Sequence, residues 1–256
     1  MPRDRNPDRR SATRSVEPGS RKIRAIAFVT YPGMTLLDLV GPITTFFGLT
    51  RGLVMPSRHY RAVCVGAGNA PTQTDTPMAL IPEETYDEVA DPFAIIVPGG
   101  GMAALEAMGD DTLIDYVRSA GQGAQVVGSV STGTFILAAA GLLDDRQVTT
   151  HPAYAPLLRK LGANYVRSNW VEDGRLISAA GVSGGIDMAL HLVARLQDEP
   201  AARDIQLVIE YDPHPPFGGL GHNAREAQLE AMPPEHRARL SRALAGRPDL
   251  RHALLG

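Results

Sequence analysis

Four short blocks of the chain hold residues able to do chemistry. In the first, the apolar run Val126 to Val130 has the composition of a buried parallel strand and breaks at Ser131-Thr132-Gly133 into an apolar, alanine-rich helix through Ala140. A strand that turns so sharply into a helix lifts the residue at the break above the sheet, beside helical N–H groups that can bind an anion. Ser131 is therefore either the tip of a nucleophile elbow or an ordinary serine N-cap. In the second, Asp38 is a lone carboxylate inside Leu37-Asp38-Leu39-Val40, a run that continues across Pro42. It is either a dipole partner at a helix start or a partly buried acid whose raised pKa suits proton transfer. The third is Phe93 to Val97, a clean buried strand, followed at once by Pro98-Gly99-Gly100-Gly101. Consecutive glycines expose backbone N–H groups that can hold an anion or a developing oxyanion, but the spacing fits neither a dinucleotide fingerprint nor a P-loop. In the fourth, His151 ends the strand Val148 to Thr150 on the side where open α/β sheets place their sites, although a lone histidine is more often structural.

The elements that would position these residues alternate. Strands are expected at Ile23–Thr30, His59–Gly66, Phe93–Val97, Val126–Val130, Val148–Thr150, Tyr165–Arg167, Trp170–Glu172 and Leu176–Ala179, with an edge ribbon over Thr72–Pro82. Helices are expected from the Asp38 run through Leu49, over Thr112–Ala120, after Ser131, and over Ala153–Leu161, Ile186–Leu196 and Ala201–Glu210. This alternation predicts one mostly parallel sheet with helices on both faces, an α/β three-layer sandwich. Asp187 and His191 stand four apart on their helix and read as a surface pair. Residues 1–22 read as a disordered leader, 23–220 as the α/β domain, and 221–256 as a peripheral helical extension with little core of its own.

Composition narrows the function. The 256 residues carry a net charge of −3, with no basic stripe to suit nucleic acid. A single cysteine, Cys64, rules out an internal disulfide or a multi-thiolate zinc site and reads as a small buried hydrophobe. No apolar run reaches a membrane span, and the leader lacks the apolar middle of a secretory signal, so a cytoplasmic protein is expected.

Taken together, the blocks resemble the DJ-1/PfpI superfamily, the class I glutamine amidotransferase-like, flavodoxin-like fold. The resemblance rests on Leu37-Asp38-Leu39-Val40-Gly41-Pro42, Val97-Pro98-Gly99-Gly100, Val130-Ser131-Thr132-Gly133, Thr149-Thr150-His151, Gly181-Val182-Ser183-Gly184-Gly185-Ile186-Asp187 and Gln206 to Phe217, and covers roughly residues 23–218. Within it, the chain is similar to the isonitrile hydratase branch. That resemblance implies a lyase that adds water to a small organic isonitrile to give an N-substituted formamide, without metal or organic cofactor, in a homodimer. It implies Asp38, Ser131 and Thr132 as catalytic residues, and Gly99, Gly100, His151 and Gly181 as the substrate-binding and oxyanion lining. The chain departs from the pattern at the elbow, where the branch has a cysteine and this sequence has Ser131. A thiol with a lowered pKa yields a thiolate, whereas a serine hydroxyl needs a strong adjacent base. Ser131 can then be a Cys→Ser replacement in an active hydratase, a serine beside which Asp38 directs water or a proton without covalent catalysis, or the mark of a lost activity. A non-catalytic small-molecule-binding or regulatory protein and a Ser-dependent amidase or hydrolase are the alternatives.

Overall fold

The computed structural model describes residues 23–51, 59–143, 145–218 and 232–256. The leader expected over 1–22 lies outside the described residues. The chain runs through β1 (Arg24–Val29), α1 (Leu36–Arg51), β2 (Tyr60–Gly66), β3 (Thr72–Gln73), β4 (Ala79–Leu80), β5 (Glu84–Thr85) and β6 (Ala94–Val97). It continues through α2 (Met102–Ala107), α3 (Asp111–Gly123), β7 (Val126–Val130), α4 (Gly133–Ala139), β8 (Gln147–Val148), α5 (Ala155–Lys160), β9 (Asn164–Tyr165), β10 (Trp170–Asp173) and β11 (Leu176–Ala179). The helices α6 (Val182–Leu196), α7 (Glu199–Val208), α8 (Pro234–Ala243) and α9 (Pro248–Leu255) follow.

Seven strands form one sheet in the order β10-β11-β7-β6-β1-β2-β5. All neighbours are parallel except β10, which folds back antiparallel on β11. The sequences Ala-Ile-Ile-Val of β6 and Val-Val-Gly-Ser-Val of β7 are buried throughout, as strands covered on both faces must be. One covering layer is α1 packed on α6 and α7; the other is α2, α3 and α4. From β1 the chain builds outward through β2, then crosses back to build β6, β7 and β11 on the other side. The topological switch therefore falls between β1 and β6, and open α/β sheets bind ligands outside the carboxyl ends of the strands at that point.

Several boundaries differ from the sequence expectation, each for a physical reason. The stretch Gly181 to Gly185 was expected to lead into a helix at Ile186, but α6 already begins at Val182. Gly184 and Gly185 lie inside that helix as glycines because its close packing leaves no room for a side chain: a Cβ on Gly184 would lie 2.5 Å from the Asn169 carbonyl and one on Gly185 3.2 Å from Pro42 and Val130. The helix expected over Ala153–Leu161 is split into a 3-10 turn, Pro152–Tyr154, and α5. The Thr72–Pro82 ribbon is a two-stranded pairing of β3 with β4. The α8–α9 hairpin is more than peripheral: Leu240, Leu244 and Leu254 are buried, α8 packs on α2, and Arg239–Glu106 (2.9 Å) and Arg247–Asp111 (2.7 Å) tie it down.

Candidate active site

Asp38 sits in the first turn of α1, which starts just beyond the carboxyl end of β1. It is 1 % exposed, its Oδ2 accepts from Gly99 N–H at 3.1 Å, and its Oδ1 is buried with no hydrogen-bond partner. Burial outweighs that single amide, so the carboxyl is pushed up to about 7. Leu37 and Val40, the apolar neighbours in sequence, point away and are 55 % and 40 % exposed. The glycine turn after β6 is what covers the carboxyl. A Cβ on Gly99 would lie 2.4 Å from Asp38 Oδ2, 2.8 Å from Ser131 Cβ and 3.0 Å from Thr132 N, so only glycine lets the acid, the elbow and the turn converge.

The turn is laced on every side. Tyr31 Oη donates to Pro98 O (2.9 Å) and Thr35 N–H to Gly99 O (2.7 Å), while Thr132 Oγ1 accepts from both Gly100 N–H (3.0 Å) and Gly101 N–H (2.9 Å). This bears on the role expected for Gly99 and Gly100: their N–H groups are already spent on Asp38 and Thr132, so the turn positions those residues and has no amide left over to serve as an oxyanion donor. Burial and the nearby Asp38 charge together hold the Tyr31 phenol well above its ordinary range.

Ser131 stands at the end of β7 with φ 54°, a left-handed conformation that is costly for a residue with a side chain. Its N–H donates to Ala179 O at 2.8 Å and its carbonyl accepts from Thr150 Oγ1 at 2.8 Å, which fixes the strained turn. Thr132, not Ser131, occupies the N-cap of α4, so the geometry is that of an elbow and the plain serine cap is set aside. Thr132 N–H heads the helix, where the helix itself offers no carbonyl, and is the backbone donor best placed beside the elbow tip. Among the described residues, the hydrogen bonds of Ser131 all run through its backbone.

His151 caps the 3-10 turn, its Nδ1 accepting from Ala153 N–H at 3.3 Å. Its Cδ2 lies 3.9 Å from where a Gly181 Cβ would be, so His151 and Gly181 share one side of the rim. Cys64 lies on β2, separated from the elbow strand by β6 and β1, about 14 Å away at ordinary strand spacing. Burial pushes its thiol up to about 11, so it does not stand in for an elbow cysteine. The expected Asp187–His191 pair is replaced by other partners: Asp187 Oδ1 accepts from Tyr211 Oη (2.9 Å), and His191 bonds Glu172 (2.6 Å) under the stacked Trp170. The β10 hairpin brings Glu172 over α6, a long-range pairing that helical spacing does not reveal. Sequence reasoning missed Tyr31 and Thr150 as organisers of the site. Both lie within the quoted blocks or at their edges, but nothing in their types marks them. Among the described residues, no cluster of three or more His, Cys, Asp and Glu is placed to hold a metal ion, and no helix is long and apolar enough to cross a membrane.

A parallel α/β sandwich with a strained elbow on its central strand and a buried carboxyl across the switch point defines a class of elbow-site proteins. The chain belongs to the DJ-1/PfpI family, which it matches over residues 24–195. It is 37 % identical over 193 residues to an isonitrile hydratase of Pseudomonas putida, covering 75 % of this chain and 80 % of that one. Among solved structures it is similar to a ThiJ/PfpI family protein from Pseudomonas syringae, with TM-score 0.71, 31 % identity and coverage of 96 % and 98 % of the two chains. Drosophila melanogaster DJ-1β shares the fold at TM-score 0.64 and 18 % identity, covering 75 % of this chain and all of that one.

Proposed function

We propose that the protein hydrates small organic isonitriles to N-substituted formamides, with Asp38 as the proton donor and acceptor. The observation that carries this reading is the buried Asp38 carboxyl, poised near neutrality beside the elbow. The similarity to an isonitrile hydratase supports the substrate class. In the proposed reaction, the Asp38 carboxyl gives its proton to the isonitrile carbon, forming R–N≡C–H⁺. Water adds to that carbon and returns a proton to the carboxylate, leaving R–N=CH–OH, which tautomerises to R–NH–CHO. No thiolate is needed, because protonation makes the carbon electrophile enough for water. Ser131 orients the water, and the catalytic pKa lies near the operating pH, where general acid–base transfer is most effective.

The test is formamide formation from cyclohexyl isocyanide by the protein, by Asp38→Asn and by Ser131→Cys. Turnover is expected in the unmodified protein and in Ser131→Cys, with a loss of roughly 100-fold or more in Asp38→Asn. Full activity in Asp38→Asn would sink the acid–base role. A second reading, a ligand-binding protein on an enzyme scaffold, is favoured by one observation: no base is hydrogen-bonded to the Ser131 hydroxyl among the described residues. It would show saturable binding of isonitrile or formamide without product. We further propose that the protein works as a homodimer, which sedimentation equilibrium reads directly.

A further inference from the structure

The groups at the candidate site divide by exposure. Asp38, Gly99, Thr132 and Thr150 are buried, whereas Gly100, Gly101, Ser131, His151, Tyr154 and Gly181 are half-buried and so lie on the solvent side of the carboxyl. Among these half-buried groups the glycines present no side chain, and the largest side chain is Tyr154, which no sequence block marked.

Tyr154 is held in a defined pose. Its ring meets Phe135 of the elbow helix edge-to-face, with centroids 6.3 Å apart at 73°, and meets His151 the same way at 6.2 Å and 79°. Its hydroxyl overhangs the glycine turn. A Cβ on Gly101 would come within 3.1 Å of Tyr154 Oη, and Gly101 is also at φ +55°, so glycine at this position both permits the turn and leaves room for the tyrosine tip. Gly101 N–H is in turn bonded to Thr132 Oγ1. The tyrosine tip thus stands over the same four-residue turn that holds Asp38 and Thr132 from below.

We propose that the Tyr154 ring is the specificity-determining wall of the entrance, setting how bulky an organic group on the substrate fits between the glycine turn and the His151–Gly181 side. This deepens the hydratase reading and rests on it for the substrate class. An aromatic ring locked by two edge contacts is an apolar, rigid boundary, and a pocket boundary discriminates by the volume it denies. Shortening it admits larger groups and removes contact from small ones.

The experiment compares methyl, cyclohexyl and naphthyl isocyanides as substrates, and the matching N-substituted formamides as calorimetric ligands, with the full-length protein and its Tyr154→Ala, Tyr154→Leu and Tyr154→Phe variants. In Tyr154→Ala the naphthyl-to-methyl preference is expected to rise roughly tenfold or more, and in Tyr154→Phe to stay within about twofold, since the ring is kept. Tyr154→Leu retains apolar contact with Phe135 and gives the same upward shift if the alanine variant fails to fold. A preference ratio unchanged in the folded alanine or leucine variant overturns the proposal, because a merely structural role alters all substrates alike. If no isonitrile is turned over but formamide binding shows the size shift, the hydratase reading falls and the wall stands. If the unmodified protein neither turns over nor binds any member, both fall.

Discussion

Asp38 is flanked in sequence by leucines and a valine, of which Leu39 alone is buried. Leu37 and Val40 face outward, and the carboxyl is enclosed instead by a turn that arrives from some sixty positions later, through Gly99. The sequence thus left the choice between dipole partner and buried acid open, because the deciding contact is long-range. The consequence is a pH-dependent stability. The carboxyl holds its proton to about pH 7 in the folded protein, against the ordinary 3.8 expected once unfolded. Between those values the native state binds a proton that the unfolded chain has lost, so stability falls as pH rises from about 4 through 7 and is level above. With a shift of this size the loss is at most about 4 kcal/mol. Asp38→Asn, neutral and nearly isosteric, is expected to match the unmodified protein near pH 4 and to exceed its stability at pH 8. Urea unfolding at pH 4, 6 and 8 checks this, and parallel stability curves for the two proteins would contradict it.

At the scale of elements, the unit is the β6–α2 turn docked on the β7–α4 elbow. The elbow was legible residue by residue: Val126–Val130 is the observed strand, and Ser131 holds the strained position. Local composition sufficed there, since a buried parallel strand and an alanine-rich helix each announce themselves. The partner turn was legible as a turn but not in its role. That a threonine on another element would accept both Gly100 N–H and Gly101 N–H follows from tertiary packing alone. Thr132→Val removes that acceptor at nearly constant volume and leaves the amides of two half-buried glycines without their partner. Each such loss costs about 1–3 kcal/mol when the group is fully buried and falls toward the low end for half-buried glycines, so the variant is expected to lose roughly 2–4 kcal/mol. Thr132→Ser keeps the oxygen and forfeits only a methyl, about 1 kcal/mol. Chemical denaturation ranks the two; equal losses would mean that the hydroxyl does not organise the turn.

For the whole molecule, the α8–α9 hairpin packs on α2, the helix that leaves the glycine turn. A charged segment broken by prolines reads as a surface appendage, because three leucines spread over fifteen positions give no strong periodic face. Folding buries Leu240, Leu244 and Leu254 as α8 packs on α2 and α9 packs on α8 and α5, and ion pairs from Arg239 and Arg247 reach α2 and α3 at Glu106 and Asp111. The helix that the hairpin grips, α2, begins directly after Gly101. We therefore take residues 232–256 to fold as part of the α/β unit, and Leu240 tests it. The side chain is fully buried, and truncating such a leucine typically costs about 2–5 kcal/mol, whereas a surface substitution stays within about 0.5 kcal/mol. Leu240→Ala is expected to lower stability by about 3 kcal/mol in a single urea transition seen alike by far-ultraviolet circular dichroism and by the fluorescence of Trp170, which lies on β10 well away from the hairpin. Coincident shifts in both signals mean that the hairpin and the sheet unfold together. A hairpin that melts first, with the Trp170 transition unmoved, would make it a separate appendage and cut its link to the site.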